Sequence, residues 1–378
     1  MAKKPQTTQD YQNTFKKLGY TFRYNEVKDV NEVNGQVIDT HKESEIICKM
    51  NDQGFYQESR IVRQIYFEAG NNRYNPIKAY LQSLSYDGTN YIKKLCDNYI
   101  DGDQFTYPWL HRCLVSSVGK IFTLSQSPVL VIDGPQNIGK SQLIKWLASK
   151  LKSYFVEGDI KPDQKDAKIR AASNWIWEVH ELGSTTRRAD VDSLKGFLTQ
   201  TYISERPAYA RQDKQRPVTA TFIGTINNGA SGFLNDPSGN RRFMITTVKN
   251  IDWQGYTKNI DPDQVWGQAF TEWQMGEPTE LTADEMKASS ANNEEYKVSD
   301  PVTLAIEEKF KVDTSGSFVA TSEMIEALRN SPIIRSIRDD DLAKRIADYM
   351  AANGGEKGKG YPLNKVNQVR GYKNVVRI

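Results

Sequence analysis

The stretch from residue 127 to 151 constrains the fold more than any other part of the chain. It opens with SPVLVIDG, turns through GPQNIGKS at 134–141, and continues as SQLIKWLASKL. A short, almost wholly apolar run ending in glycine suits a strand buried on both faces. The spacing of apolar residues after Ser141 predicts a helix. Between them, Gly134 and Gly139 let the backbone curl so that successive N–H groups converge, backed by the positive end of the helix. GPQNIGKS fits the pattern GxxxxGK[ST] in the strand–loop–helix setting that the pattern requires. Such a loop cradles phosphate. Gly134, Pro135, Gln136, Asn137, Ile138 and Gly139 supply the cradle, Lys140 reaches the β- and γ-phosphates, and the Ser141 hydroxyl ligates a metal ion. ATP and Mg²⁺ are the expected cofactors.

The sequence around this loop alternates strand and helix. After the helix come the strand candidates SYFVEGD, NWIWEVH, VTATFIGTIN and RFMITTV, a pattern that predicts an α/β core with a mostly parallel sheet over 126–250. Residues 1–85 mix strand-like and helical pieces, separated by Asn34-Gly35 and Asn71-Asn72, and predict an α+β accessory region. Residues 86–125 predict a helical lead-in or collar. A helix and a polar connector fill 251–300. Helices expected at 302–310, 322–328 and 340–352, followed by a glycine-rich basic strand pair, give 301–378 the outline of a winged helix.

A nucleotide hydrolase needs a carboxylate at the end of a neighbouring strand. Trp175, Ile176 and Trp177 lead into Glu178, with Glu181 three residues later. Glu178 would hold Mg²⁺ through water and Glu181 would polarise the attacking water, or the two roles are exchanged. His180 between them is expected to be incidental. The strand VTATFIGTIN ends in Asn227, whose amide could contact the γ-phosphate or orient the water, although asparagine after a strand is also common turn chemistry. Arg241 and Arg242 stand just before the last strand. From there they reach a neighbour's γ-phosphate more easily than their own, as a finger acting in trans.

Taken in order, GPQNIGKS, WEVHEL, LKGFLT, ERPAYAR, FIGTIN and FLNDPSGNRRF resemble the virulence-associated E family, phage and mobile-element AAA+ ATPases close to the superfamily 3 helicases. The likeness is specific over 126–250 and looser over 75–125. It implies an AAA+ core in a ring, a hexamer, with ATP between subunits and single-stranded DNA in the central channel. It further implies replication of a phage or genomic island in the cytoplasm of a bacterial host. On this chain Gly134, Gly139, Lys140 and Ser141 match the phosphate loop, Glu178 and Glu181 the acidic motif, Asn227 the strand-end amide, and Arg241 and Arg242 the arginine pair. Many superfamily 3 proteins place two acids side by side where Val179 and His180 intervene here. The first section lacks an evident set of metal-binding carboxylates, so a separate primase or host replication proteins are implied.

Net charge is only +3 over 378 residues, so DNA affinity has to come from local clusters of basic groups. One is expected on a hairpin pairing 208–210 with 217–221, where Arg206, Arg211, Lys214 and Arg216 form a basic edge and Tyr209 stacks on a base. Lys195 faces either DNA or an acidic helix. A second cluster, Lys357, Lys359, Lys365, Arg370 and Lys373, lies where no acidic residue interrupts the C-terminal sequence, and would suit duplex DNA at an origin. Cys48, Cys96 and Cys113 lack CxxC spacing and read as reduced, buried thiols rather than zinc ligands. No apolar run approaches the ~20 residues needed to span a bilayer, so no membrane partner is expected. A nucleotide-regulated origin-binding initiator, and a packaging ATPase or phosphotransferase, remain as alternatives to a helicase.

Overall fold

The computed structural model describes residues 6–180, 191–205, 213–227, 242–296, 301–329, 334–361 and 367–377. The chain divides into two compact units, Met1–Tyr296 and Lys297–Ile378. The first begins with α1 (Thr8–Lys17), β1 (Phe22–Asn25), β2 (Val30–Val33), β3 (Gln36–Val37), α2 (Thr40–Asp52), α3 (Glu58–Asn71) and β4 (Arg73–Tyr74). Its small sheet runs β3-β2-β1-β4, with β1 and β2 antiparallel and β4 parallel to β1. Asn34 and Gly35 both have positive φ, which is the chemistry of a tight hairpin turn, and they join β2 to β3. Tyr11, Phe15, Phe22, Val33, Ile46, Met50, Ile61 and Ile65 close a core of their own.

The main sheet follows α4 (Pro76–Ser83), α5 (Tyr91–Tyr99), β5 (Ile100–Gly102) and α6 (Thr106–Thr123). The chain continues through β6 (Val129–Gly134), α7 (Lys140–Leu147), β7 (Phe155–Glu157), α8 (Lys165–Ser173), β8 (Ile176–Val179), α9 (Val191–Thr199), β9 (Tyr202–Glu205), β10 (Lys214–Pro217), β11 (Thr221–Asn227) and β12 (Phe243–Ile251), where β9 and β10 pair as a separate hairpin and the other strands join β5 in the main sheet. Strand order is β5-β12-β6-β11-β8-β7. Neighbours from β12 to β7 are parallel, and β5 adds an antiparallel edge. The sequence explains the burial. All six residues of β6 and all four of β8 are buried, and successive side chains point to opposite faces. Leu130 and Ile132 join a core with α6, α7 and the following helices α10 (Trp253–Asn259) and α11 (Pro262–Gln274), whereas Val129 and Val131 join a second core with α8 and α9.

Two expectations need correction here. Residues 86–125, expected as a helical lead-in or collar, are not helical throughout. The chain extends at 100–102 to pair with β12, and α6 is one layer of the sheet's own core. Asp103 fixes this edge by accepting from Thr247 N at 2.8 Å and from the Thr246 hydroxyl at 2.7 Å. Cys48 is exposed rather than buried; Cys96 and Cys113 are buried, and burial pushes both thiols up to about 12.

After α12 (Ala283–Asn293) the second unit comprises α13 (Pro301–Lys309), β13 (Phe310–Ala320), α14 (Thr321–Leu328), α15 (Asp339–Ala352), β14 (Glu356–Gly360) and β15 (Val369–Arg377). Its antiparallel sheet runs β13-β15-β14, over a core that includes Val302, Ile306, Met324, Leu342, Ile346 and Val375. The three helices form close to their expected positions. The long strand β13 was unforeseen. Among the described residues, no helix is long and apolar enough to cross a membrane.

Candidate functional site

A polar cleft of about 650 Å³ opens at the carboxyl ends of the parallel strands, beside the loop that joins β6 to α7. This is the switch point of the sheet, since the chain leaves β6 for the far edge at β7 and later crosses from β11 over β6 to β12. The loop geometry demands glycine at two points. A Cβ at Gly134 would overlap the carbonyl oxygen of Val248, and Gly139, at φ +100°, is the N-cap of α7. Lys140, the first helical residue, is only 6% exposed. Its ammonium donates to Gly134 O at 2.6 Å, to Pro135 O at 2.7 Å and to Asn227 Oδ1 at 3.0 Å. Asn227 comes within reach because β11 pairs with β6 in a register that sets it opposite Gly134. Burial pulls the Lys140 pKa below that of an ordinary lysine, with Asp133 opposing the shift.

The acidic side of the cleft is built by β7 and β8, whose register places Glu157 opposite Glu178. Glu178 is fully buried, and neither carboxylate oxygen closes a hydrogen bond. Burial raises its pKa, while the Ser141 hydroxyl and the His180 ring, close but not in good hydrogen-bond geometry, pull it down. His180 Nδ1 stands 3.5 Å from Glu178 Oε1, and its Nε2 stands 3.5 Å from Glu157 Oε2. Lys145 Nζ meets Glu157 Oε2 at 2.7 Å. Burying a carboxylate without a well-formed hydrogen bond costs a fold roughly 1–3 kcal/mol, which suits a group that meets a cation when the cleft is filled. Ser141 and Glu178 are the residues that could hold such an ion.

Lys140, Ser141, Glu178 and Asn227 are therefore brought together from two strands and one helix. Two residues that line the cleft, Thr225 and Asp159, escaped the sequence reading, as did Glu157 opposite Glu178. Glu157 ends β7 as Glu178 lies near the end of β8, so the same strand-end argument could have found it. Thr225 shares the face of Asn227 through the period of two, and Asp159 follows the β7 turn. Glu181 and Arg241 lie outside the described residues. Arg242 stands at the opposite end of the sheet from the cleft, beside Pro128 and Val129, because Phe243 pairs in register with Val129. Six residues of strand separate it from Gly134, about 20 Å.

The basic edge expected around 206–216 takes a different form. Arg206, Tyr209 and Arg211 lie outside the described residues, as does the side chain of Lys195 on α9. The hairpin described pairs 202–205 with 214–217, and the expected strand at 208–210 lies outside the described residues. Arg216 is 5% exposed and donates to Val27 O at 2.7 Å and to the Ser173 hydroxyl at 2.8 Å. Lys214 donates to the Tyr24 hydroxyl at 2.6 Å and pairs with Asp29. Both side chains thus fasten the hairpin to the N-terminal sheet, and the expectation that they point outward as a basic edge is corrected. In the second unit Lys357, Lys359, Arg370 and Lys373 are exposed, with Lys359 opposite Arg370 in the β14–β15 register, whereas Lys365 lies outside the described residues.

Fold and cleft together define a mixed α/β protein with a polar site at the carboxyl edge of a parallel sheet. The profile of the virulence-associated protein E-like domain matches residues 81–298, and the chain belongs to that family. The resemblance carried by the order of motifs is thereby shown. Solved structures of the C-terminal region of NrS-1 share the fold. The apo structure aligns with a TM-score of 0.55 at 13% identity, over 98% of this chain and 100% of that one. An A-form apo structure aligns at 0.54 and 13%, again over 98% and 100%. A second A-form structure reaches 0.50 at 12%, over 97% and 98%. No curated protein sequence matches the chain.

Proposed function

We propose that this protein is an Mg²⁺-dependent ATPase that drives a DNA helicase in phage or mobile-element replication. The observation that carries the reading is the meeting of Lys140 Nζ with Asn227 Oδ1 at 3.0 Å, across two adjacent strand ends, with the buried Glu178 beside Ser141, the next residue of the loop. Cation, amide and carboxylate converge where a terminal phosphate would stand. When bound, Mg²⁺ would neutralise charge on the phosphates between Ser141 and Glu178. Lys140, now bonded to its own loop carbonyls, would exchange them for phosphate oxygens. Asn227 would orient water, and Glu178 or Glu181 would accept its proton. The backbone from Gly134 to Gly139 and the start of α7 would donate to the phosphates.

Two further parts of the reading are also proposals. Arg242 sits some 20 Å from its own cleft, which supports completion of each site by a neighbouring subunit and hence a ring, taken as a hexamer. Single-stranded DNA would occupy its channel. The exposed lysines and arginine of the β14–β15 hairpin support contact between the second unit, as a winged helix, and a phosphate backbone. Phosphate release measured with and without single-stranded DNA tests the assignment. Turnover that rises severalfold with DNA is expected of a helicase. Turnover indifferent to DNA would favour an initiator that binds without travelling, and none at all would remove the assignment.

A further inference from the structure

The acidic side of the cleft holds a constellation that ATP hydrolysis with Mg²⁺ does not call for. Glu157, Glu178 and His180 present one carboxylate oxygen each and one imidazole nitrogen, all within 4.8 Å of one another. Mg²⁺ prefers oxygen and water ligands, whereas imidazole suits Zn²⁺, Co²⁺ and Ni²⁺. Glu178 is fully buried, faces His180 from 3.5 Å, and has no hydrogen-bond partner on either oxygen. Two carboxylates and an imidazole make a three-ligand set with room for water in the fourth position, as in open zinc sites.

We infer that Glu157, Glu178 and His180 form a transition-metal site, selective for Zn²⁺-like ions over Mg²⁺, which shares Glu178 with the ATPase centre and inhibits hydrolysis when filled. The inference rests on the proposed ATPase for its consequence but not for the binding itself. Tetrahedral ligands about 2.0–2.1 Å from zinc lie about 3.3 Å apart, so the cluster has to contract by about 1.5 Å. The glutamate side chain at 157 is 47% exposed and the ring at 180 is 40% exposed, so rotation of these two closes that gap while Glu178 stays in place. Lys145 holds Glu157 at 2.7 Å and occupies the cation's side of that carboxylate. A metal ion therefore competes with an ammonium group. A metal seated here draws on the Glu178 carboxylate that would otherwise face Ser141 and Mg²⁺, and so opposes turnover.

The test is titration of tag-free, full-length protein with Co²⁺ in the absence of nucleotide, followed by visible absorption and calorimetry. One ion per chain is expected, with the intense bands of four-coordinate cobalt, displaced by Zn²⁺ and not by millimolar Mg²⁺. His180→Ala should weaken binding about a hundredfold, Glu157→Gln at least tenfold, and Lys145→Ala should tighten it. Lys140→Ala should leave it unchanged. The variants' melting curves, compared with wild type, separate lost ligands from lost fold. Saturation unaltered by either His180→Ala or Glu157→Gln, or no stoichiometric binding, overturns the site. Intact Co²⁺ binding without any ATPase activity in the wild type would instead sink the functional reading alone. Co²⁺ binding combined with ATPase activity that Zn²⁺ leaves untouched would overturn the inhibition.

Discussion

Glu178 shows most plainly how a single side chain can be shaped by something other than stability. Its carboxylate is buried on β8 with neither oxygen hydrogen-bonded, and burial raises its pKa. The folded state then holds the proton more tightly than the unfolded chain does. Its contribution to stability is therefore fullest below the ordinary carboxylate range and is lost as pH rises through the elevated folded value. Glu178→Gln removes the buried charge without changing shape. In the absence of ligands it should stabilise the protein by about 1–3 kcal/mol at about pH 8, with the gain vanishing near about pH 4. Denaturant melts at both pH values check this, and an equal effect at both would contradict it. Gly134, Lys140, Ser141, Glu178 and Asn227 were legible in sequence because each ends or follows an apolar run, and the end of a buried strand is one of the few places where a polar side chain reaches a cleft. Glu157 and Thr225 were harder to see. Neither stands in a recognisable motif; Glu157 is marked only by its place at a strand end and Thr225 by sharing the face of Asn227, and the strand register sets Glu157 opposite Glu178.

The β9–β10 hairpin carries the lesson at the scale of an element. Its basic residues suggested an edge for DNA, and charge pattern alone cannot distinguish a solvated arginine from one that is buried and bonded. Arg216 is bonded to Val27 O and Ser173, and Lys214 to Tyr24 and Asp29, so the hairpin clamps the N-terminal sheet onto the core. Arg216→Ala should cost about 2–4 kcal/mol in unfolding free energy, because Val27 O and Ser173 lose a charged donor within a packed interface. Differential scanning measurements should show a lowered melting temperature. A normal melting curve combined with weakened DNA binding would restore the original expectation. The β5 edge was illegible for a similar reason, since the pairing of a three-residue strand is decided by Asp103 and the partner strand rather than by local propensity.

For the whole molecule, the decisive feature is the distance between the cleft and Arg242. The parallel arrangement of β6 and β12 puts the loop at one end of the sheet and this arginine at the other. If each subunit completes its neighbour's site, mixing Arg242→Ala with Lys140→Ala chains should recover part of the ATPase activity that each lacks alone. At equal proportions roughly a quarter of the interfaces join two intact halves. No recovery would argue that the arginine does not act between chains. Sequence suggests that arrangement through the place of the arginine pair before the last strand and through family resemblance, and no further, because an assembly depends on surfaces that no single strand or helix encodes. The proposed nucleotide site rests on Lys140. Equilibrium titration of the full-length protein with Mg²⁺ and a non-hydrolysable ATP analogue, repeated on Lys140→Ala, tests that foundation most directly. Saturable binding that falls at least tenfold in the variant, with an unchanged melting curve before ligand is added, is the predicted result. Equal affinity in the two proteins, or no binding by either, would contradict it.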